Sequence, residues 1–299
     1  MIDKKMIKRM NKKMITEKCK VCGVDNMSYM FTANNCIISK CGKCSFVQVV
    51  DEKNIPPYNY NKLYFDNSKY KDKKALEKEH IRRKNLLVKY LGEGGRVLDA
   101  GCATGEFVKF VSDMYEVWGC DVSNEAIEIA KKRICPQLEN RFICGTVENI
   151  ILDNRRYDAI CLWDVIEHIS DPYEAFRGID EKLEQDGCVF ISTPNIGALF
   201  PKIMKNKWPF MTPPEHLCFF TRKSFEYFLS NFNMEIVEWS SRGKWANVGF
   251  ILYKFNRVSK FKIPSSIIWL FQNTFLAKWN IYVPTGDIQY LVVKKKTRV

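Results

Sequence analysis

Apolar and polar positions follow two rhythms along this chain. Short apolar runs such as Val97-Leu98, Val117-Trp118, Ile160-Cys161-Leu162 and Val189-Phe190-Ile191 alternate with stretches in which apolar residues recur at helical intervals. The first run ends in Asp99, Gly101 and Gly105 follow, and then Phe107, Phe110, Val111 and Met114 repeat at helical spacing, which predicts strand, tight turn, helix. Further strands are predicted over Glu116–Asp121, Arg141–Thr146, Tyr157–Asp164 and Cys188–Asn195, with a last one over Gln289–Lys294. Helices are predicted from about Lys73 to Leu91, behind a Ser123 cap, behind an Asp171 cap with Pro172 and a Glu174 capping box, and behind Thr221, where Phe225, Phe228, Leu229 and Phe232 form a stripe. Strand and helix in alternation define an α/β fold, a parallel sheet with helices on both faces.

The turn after the first strand is a ligand site in outline. A backbone that bends sharply and lets a ligand approach has no room for a Cβ, which accounts for Gly101 and Gly105. Gly101-Cys102-Ala103-Thr104-Gly105-Glu106 lacks the G-x-G-x-x-G spacing of a dinucleotide dehydrogenase. His80 lies on the apolar stripe of the first helix and reads as a packed histidine.

Cysteine placement adds a second constellation. Cys19-Lys20-Val21-Cys22 and Cys41-Gly42-Lys43-Cys44 are two C-x-x-C knuckles at the spacing of a tetrahedral zinc site. Four thiolates leave no open position, so the metal is expected to be structural, folding a module too small to hold itself together. Cys36 is a spare, half-buried thiol.

Composition changes this picture little. The chain has 299 residues, 46% of them hydrophobic, enough for one large core and a small appendage. The formal charge of +13 is partly local: Lys4, Lys5, Lys8, Arg9, Lys12, Lys13 and Lys18 crowd the start, and Lys294, Lys295, Lys296 and Arg298 the end. Such tails are expected to be solvated faces. No apolar signal-peptide core is read at the N-terminus, and Ile267-Ile268-Trp269-Leu270-Phe271 falls far short of a membrane span, so a cytoplasmic protein without a transmembrane segment is expected.

Val97-Leu98-Asp99-Ala100-Gly101-Cys102-Ala103-Thr104-Gly105 resembles the first motif of the class I S-adenosylmethionine-dependent methyltransferases. Glu167-His168-Ile169-Ser170-Asp171-Pro172 and Ile191-Ser192-Thr193-Pro194-Asn195 resemble later segments of small-molecule members, including quinone O-methyltransferases. Pro213-Pro214-Glu215-His216-Leu217-Cys218-Phe219-Phe220-Thr221, together with the zinc knuckles, is similar to bacterial enzymes acting on sugars, lipid-linked precursors and secondary metabolites.

The resemblance implies a Rossmann-like seven-stranded methyltransferase sheet whose last strand inserts antiparallel, plus a small N-terminal zinc-ribbon module. It implies S-adenosylmethionine held by Asp99, Gly101, Thr104, Gly105, Asp121 and Asp164, with the carboxylate of Asp121 on the ribose diol. The family's usual Gly-Asp after the third strand becomes Gly145-Thr146, with Glu148 two residues on, so the adenine contact falls to backbone groups at Thr146 and Val147. In some members a magnesium ion sits at the positions matching Asp164, Glu167 and His168. The expected organisation is a basic tail (1–18), zinc ribbon (19–50), linker and lid helix (51–91) and methyltransferase domain (92–299). Insertions on the substrate side fall at about 196–220 and 244–286. The linker tyrosines Tyr58, Tyr60, Tyr64 and Tyr70 are read as a connector or lid, and the aromatic segment near Ile267 as core packing, with a cover over the acceptor site or membrane docking as its alternatives.

Methyl transfer is an in-line displacement that needs an aligned, deprotonated nucleophile, and imidazole accepts a proton near neutral pH. His216, with Glu215 beside it, is therefore the expected catalytic base, a packed histidine being the alternative. The expected reaction is methylation of oxygen, or carbon, on a small metabolite, sugar or lipid-linked precursor. Neither an N/D-P-P-Y/F motif nor a Pro-Cys loop follows the fourth strand, so RNA methylation through the ribbon and basic tails is the second reading. A non-catalytic cofactor-binding module is the third.

Overall fold

A computed structural model describes residues 17–50, 73–133, 136–146, 154–249, 251–252, 256, 261–274, 276 and 280–296. Val147, Glu148, the linker tyrosines and most of the basic tail lie outside the described residues. In chain order the strands are β1 (Met27–Ala33), β2 (Cys36–Cys41), β3 (Val47–Val49), β4 (Arg96–Ala100), β5 (Glu116–Asp121), β6 (Phe142–Cys144), β7 (Tyr157–Trp163), β8 (Leu183–Pro194), β9 (Cys218–Phe219), β10 (Met234–Asn247) and β11 (Asn280–Lys295). The helices are α1 (Lys73–Leu91), α2 (Glu106–Val111), α3 (Asn124–Arg133), α4 (Pro172–Lys182), α5 (Leu199–Met204), α6 (Arg222–Ser230) and α7 (Ser265–Asn273).

The larger sheet has seven strands in the order β10-β11-β8-β7-β4-β5-β6. β4 to β8 pair in parallel, and β11 inserts antiparallel to both β8 and β10. Chain order reverses between β4 and β7, the switch point beyond whose carboxyl ends open α/β sheets bind their ligands. Because side chains alternate across a strand, consecutive residues feed opposite layers. Leu98, Ile160, Leu162, Val189, Ile191, Leu291 and Val293 meet Phe176 and Ile179 of α4 and Phe225 and Phe228 of α6 on one face. Val97, Ala159, Cys161, Trp163, Phe190 and Val292 meet Leu87 of α1, Phe107 and Val108 of α2 and Ile127 of α3 on the other. His80 is buried against Phe107 and Phe110, and burial pulls its pKa down to about 3, which makes it a neutral packed ring.

The second sheet has the order β1-β2-β3-β9. Its fourth strand comes from the 196–220 insertion, through Val47↔Phe219 and Gln48↔Cys218. The ribbon also shares a core with the large domain: Phe46 meets Phe220 with ring centroids 4.8 Å apart, and Cys19, Val21 and Met27 belong to the layer that holds Phe225 and Phe228.

Two local expectations change. Asp171 caps α4, accepting from the N–H groups of Tyr173 and Glu174 at 3.0 and 3.1 Å, but Glu174 pairs with Arg177 instead of closing a capping box. An exposed glutamate gains more from a cation one turn on than from a backbone donor that water also serves. The second change concerns the Ile267 patch, which does not fill a core. Of α7 only Ile268 is buried, while Ile267, Trp269 and Leu270 are exposed. Both faces of the large sheet are already covered by α1–α3 and by α4 and α6, so no layer is left for α7 to complete.

Candidate active site

The glycine turn leaves β4 in left-handed backbone, with φ of 83° at Gly101, 47° at Ala103 and 77° at Gly105. A Cβ at Gly101 would stand 2.4 Å from Cγ2 of Val165, so glycine is required by space as well as by φ. Asp121, at the tip of β5, accepts from Ala103 N–H through Oδ2 and from Ser123 N–H through Oδ1, both at 2.9 Å. One carboxylate thus locks two loops, and each oxygen has a further lone pair with which to accept from a ligand hydroxyl. Burial pushes the Asp121 pKa up, against the pull of those two N–H groups. Asp99, buried at the end of β4, is pushed up to about 7 by burial, with Arg83 pulling it down and Asp121 adding to the rise. Thr104 is buried in the same turn, and Thr146 follows β6 half-buried.

Asp164 follows β7 at φ 58°. Its Oδ2 accepts from Arg83 at 2.9 Å and its Oδ1 from the Ser192 hydroxyl at 3.1 Å. The Arg83 guanidinium also lies over the Trp163 ring, 5.2 Å from its centroid. Burial lowers the Arg83 pKa, but Asp164 and neighbouring acids raise it by more, so the cation is retained. Arg83 occupies the buried stripe of α1, between His80 and Leu87 at helical spacing, and a charge in that row is the signal by which the sequence could have shown it. Replacing Arg83 by methionine is expected to cost about 2 kcal/mol of stability in denaturant unfolding. The estimate sits below the 3–5 kcal/mol of a fully buried broken pair because Asp164 keeps contact with water.

A second cluster gathers just beyond β7. Glu167 is 1% exposed and accepts from the Thr193 hydroxyl at 2.8 Å. The backbone N–H of Leu217 donates to the Glu167 carbonyl at 2.8 Å, tying the 212–217 turn to this segment. His168 Nδ1 lies 2.7 Å from the Glu215 carbonyl and His216 Nδ1 2.7 Å from the Phe210 carbonyl. A carbonyl can only accept, so both Nδ1 atoms carry a proton, and in the neutral ring the acceptor is Nε2. The two rings meet edge to face at 4.7 Å, and the ligand-type atoms of Glu167, His168 and His216 lie within 4.8 Å of one another. His216 is thus beside Glu167 and His168, whereas Glu215 contributes its carbonyl and a half-buried side chain.

Magnesium does not fit these residues. Asp164 is committed to Arg83 and Ser192, and the cluster that forms substitutes His216 for it. Two imidazoles and one carboxylate are a poor donor set for a hard cation that demands an octahedron of oxygens.

Zinc fits the four N-terminal cysteines. Their sulfurs lie within 4.8 Å of one another, with Cys19–Cys44 and Cys22–Cys41 each at 3.5 Å. A tetrahedron with Zn–S arms of about 2.3 Å has edges of about 3.8 Å, so little movement is needed to close it. The neighbouring Cys44 thiol draws the Cys19 thiol down, against the effect of burial.

The chain belongs to the methyltransferase domain family, whose model matches residues 73–239. It is similar to the ubiquinone biosynthesis O-methyltransferase of Glaesserella parasuis, at 29% identity over 157 residues, covering 44% of this chain and 66% of that protein. The mitochondrial ubiquinone biosynthesis O-methyltransferase of Candida albicans is 28% identical over 151 residues, 48% of this chain and 44% of that one. The chain therefore spans only 44–66% of the length of these curated relatives. In fold it is similar to a SAM-dependent methyltransferase from Archaeoglobus fulgidus, with a TM-score of 0.53 at 17% identity over 79% of this chain and 100% of that one. The seven-stranded sheet with its reversed β11 is the class I S-adenosylmethionine-dependent methyltransferase fold.

Proposed function

We propose that this chain transfers a methyl group from S-adenosylmethionine to a hydroxyl oxygen of a small metabolite. The names of its relatives support a phenolic hydroxyl on a quinone-type ring. The observation that carries the reading is Asp121, which locks the Gly101–Gly105 turn and offers its carboxylate at the carboxyl end of β5, one strand from the switch point. In this reading the cofactor's sulfonium supplies the electrophilic methyl group. Asp121 holds the ribose diol, the bare backbone from Gly101 to Gly105 accepts the methionine end beside Asp99 and Thr104, and backbone at Thr146 meets the adenine. Asp164, fixed by Arg83 and Ser192, stands beyond β7 at the same switch point.

His216 would take the acceptor's hydroxyl proton on Nε2 as that oxygen received the methyl group the bound cofactor would supply. The Phe210 carbonyl holds the productive tautomer, and Glu167 stabilises the imidazolium that results. Glu215 positions His168 through its carbonyl and offers a half-buried carboxylate for the proton's exit. The four cysteines hold a structural zinc that keeps the ribbon and β9 in place.

His216→Ala is expected to lower kcat by about 10²–10⁴-fold with little change in cofactor affinity, the range typical of losing a general base. Full turnover in that variant would return His216 to a packing role. The wider test offers radiolabelled S-adenosylmethionine and the enzyme to separated phenolic, sugar, lipid and RNA fractions. Label in the phenolic fraction supports the reading, and label in RNA replaces it.

A further inference from the structure

Helix α7 is the feature that the methyl-transfer site leaves unexplained. Its sequence carries five apolar residues in succession, Ile267 to Phe271, so apolar side chains emerge all round it. At 100° per residue, Phe271 and Ile268 share one wedge, and these are the half-buried and buried positions. Trp269, Leu270 and Ile267 span the opposite arc of about 160°. They are 60%, 43% and 43% exposed, and Phe261, just before the helix, is 85% exposed beside the exposed Lys262. Isolated surface leucines are ordinary, but a tryptophan, a leucine and an isoleucine on one helix face form a patch.

The sequence that flanks this patch is one-sided in charge, and the exposed Lys262 stands just before the helix. From Glu238 to Asp287 the chain contains no other acidic residue, yet it has seven lysines and arginines between Arg242 and Lys278. Two copies of this chain meeting through this face would bring like charges together, which disfavours a second copy as the occupant. An anionic surface is complementary. Tryptophan and phenylalanine settle at headgroup depth, leucine and isoleucine reach the acyl boundary, and lysines meet the phosphates. No described helix is long and apolar enough to cross a membrane. At nine residues, α7 suits lying in the plane of the interface.

We propose that α7 and the Phe261-Lys262 segment dock this protein on an anionic lipid bilayer. The proposal goes beyond the methyl-transfer reading and survives its failure, since it concerns a different surface.

The test is co-sedimentation of the full chain with phosphatidylcholine vesicles, with and without phosphatidylglycerol. Binding is expected only with phosphatidylglycerol and is expected to weaken as salt rises. The double variant Trp269→Ser/Leu270→Ser is expected to bind about ten-fold more weakly while melting at the wild-type temperature, because both side chains are exposed. As an independent readout, brominated lipid is expected to quench wild-type tryptophan fluorescence and to quench Trp269→Phe less. Equal binding by the double variant, equal binding to both vesicle types, or unchanged quenching in Trp269→Phe would overturn the proposal. A wild-type dimer that dissociates in the double variant would also overturn it, making a second copy the occupant.

Discussion

Serine in place of Cys41 is expected to leave the protein without bound zinc and to lower its melting temperature by about 10 °C. Cys41 ends β2, and its sulfur is 3.5 Å from that of Cys22, so its loss opens the ligand set at the centre of the ribbon. The damage does not stay local. Phe46 packs on Phe220, β3 pairs with β9, and Cys19 and Val21 share a layer with Phe225 and Phe228, so a loosened ribbon withdraws support from the large domain. His216 stands two residues before β9, and methyl transfer is expected to fall together with zinc content. Metal analysis of the purified chain and a thermal melt check both halves of the expectation. A metal-free wild type, or a Cys41→Ser protein with unchanged melting, would make the four cysteines an ordinary thiol cluster.

Alanine in place of Asp121 is expected to weaken S-adenosylmethionine binding about 100-fold, equivalent to about 2.7 kcal/mol. Two losses combine. Hydrogen bonds from the ribose hydroxyls to a charged acceptor vanish, and the N–H groups of Ala103 and Ser123 lose the group that holds the two loops in register. Asparagine separates them, since it keeps the shape and one acceptor oxygen but not the charge, and about a ten-fold loss is expected. Calorimetric titration with S-adenosylmethionine measures both variants. Wild-type affinity in Asp121→Ala would show that the cofactor is bound elsewhere.

The glycine turn was legible because it is local. A strand that stops at Asp99, two glycines four apart and a helical repeat leave the backbone few options, and the observed φ values follow from that pattern. Both knuckles were equally legible, since two cysteines three apart in a tight turn point their sulfurs the same way. The caps at Asp171 and Thr221 lie where expected, although Glu174 does not close a capping box. Arg83 was harder. Its partner, Asp164, is 81 positions away, and a helix stripe interrupted by one arginine does not reveal which acid will meet it.

The sequence by itself determined the α/β alternation, the bare glycine turn, the tip carboxylate at Asp121 and the two cysteine knuckles, because each depends on spacing within a few residues and on the chirality of the backbone. Only the tertiary structure decided that His216 would replace Asp164 beside Glu167 and His168, that β9 would complete the ribbon sheet, and that α7 would keep its apolar arc outside. Those outcomes depend on which surfaces remain once both faces of the large sheet are covered. That is a competition among segments distant in sequence, and no single stretch of the chain records it.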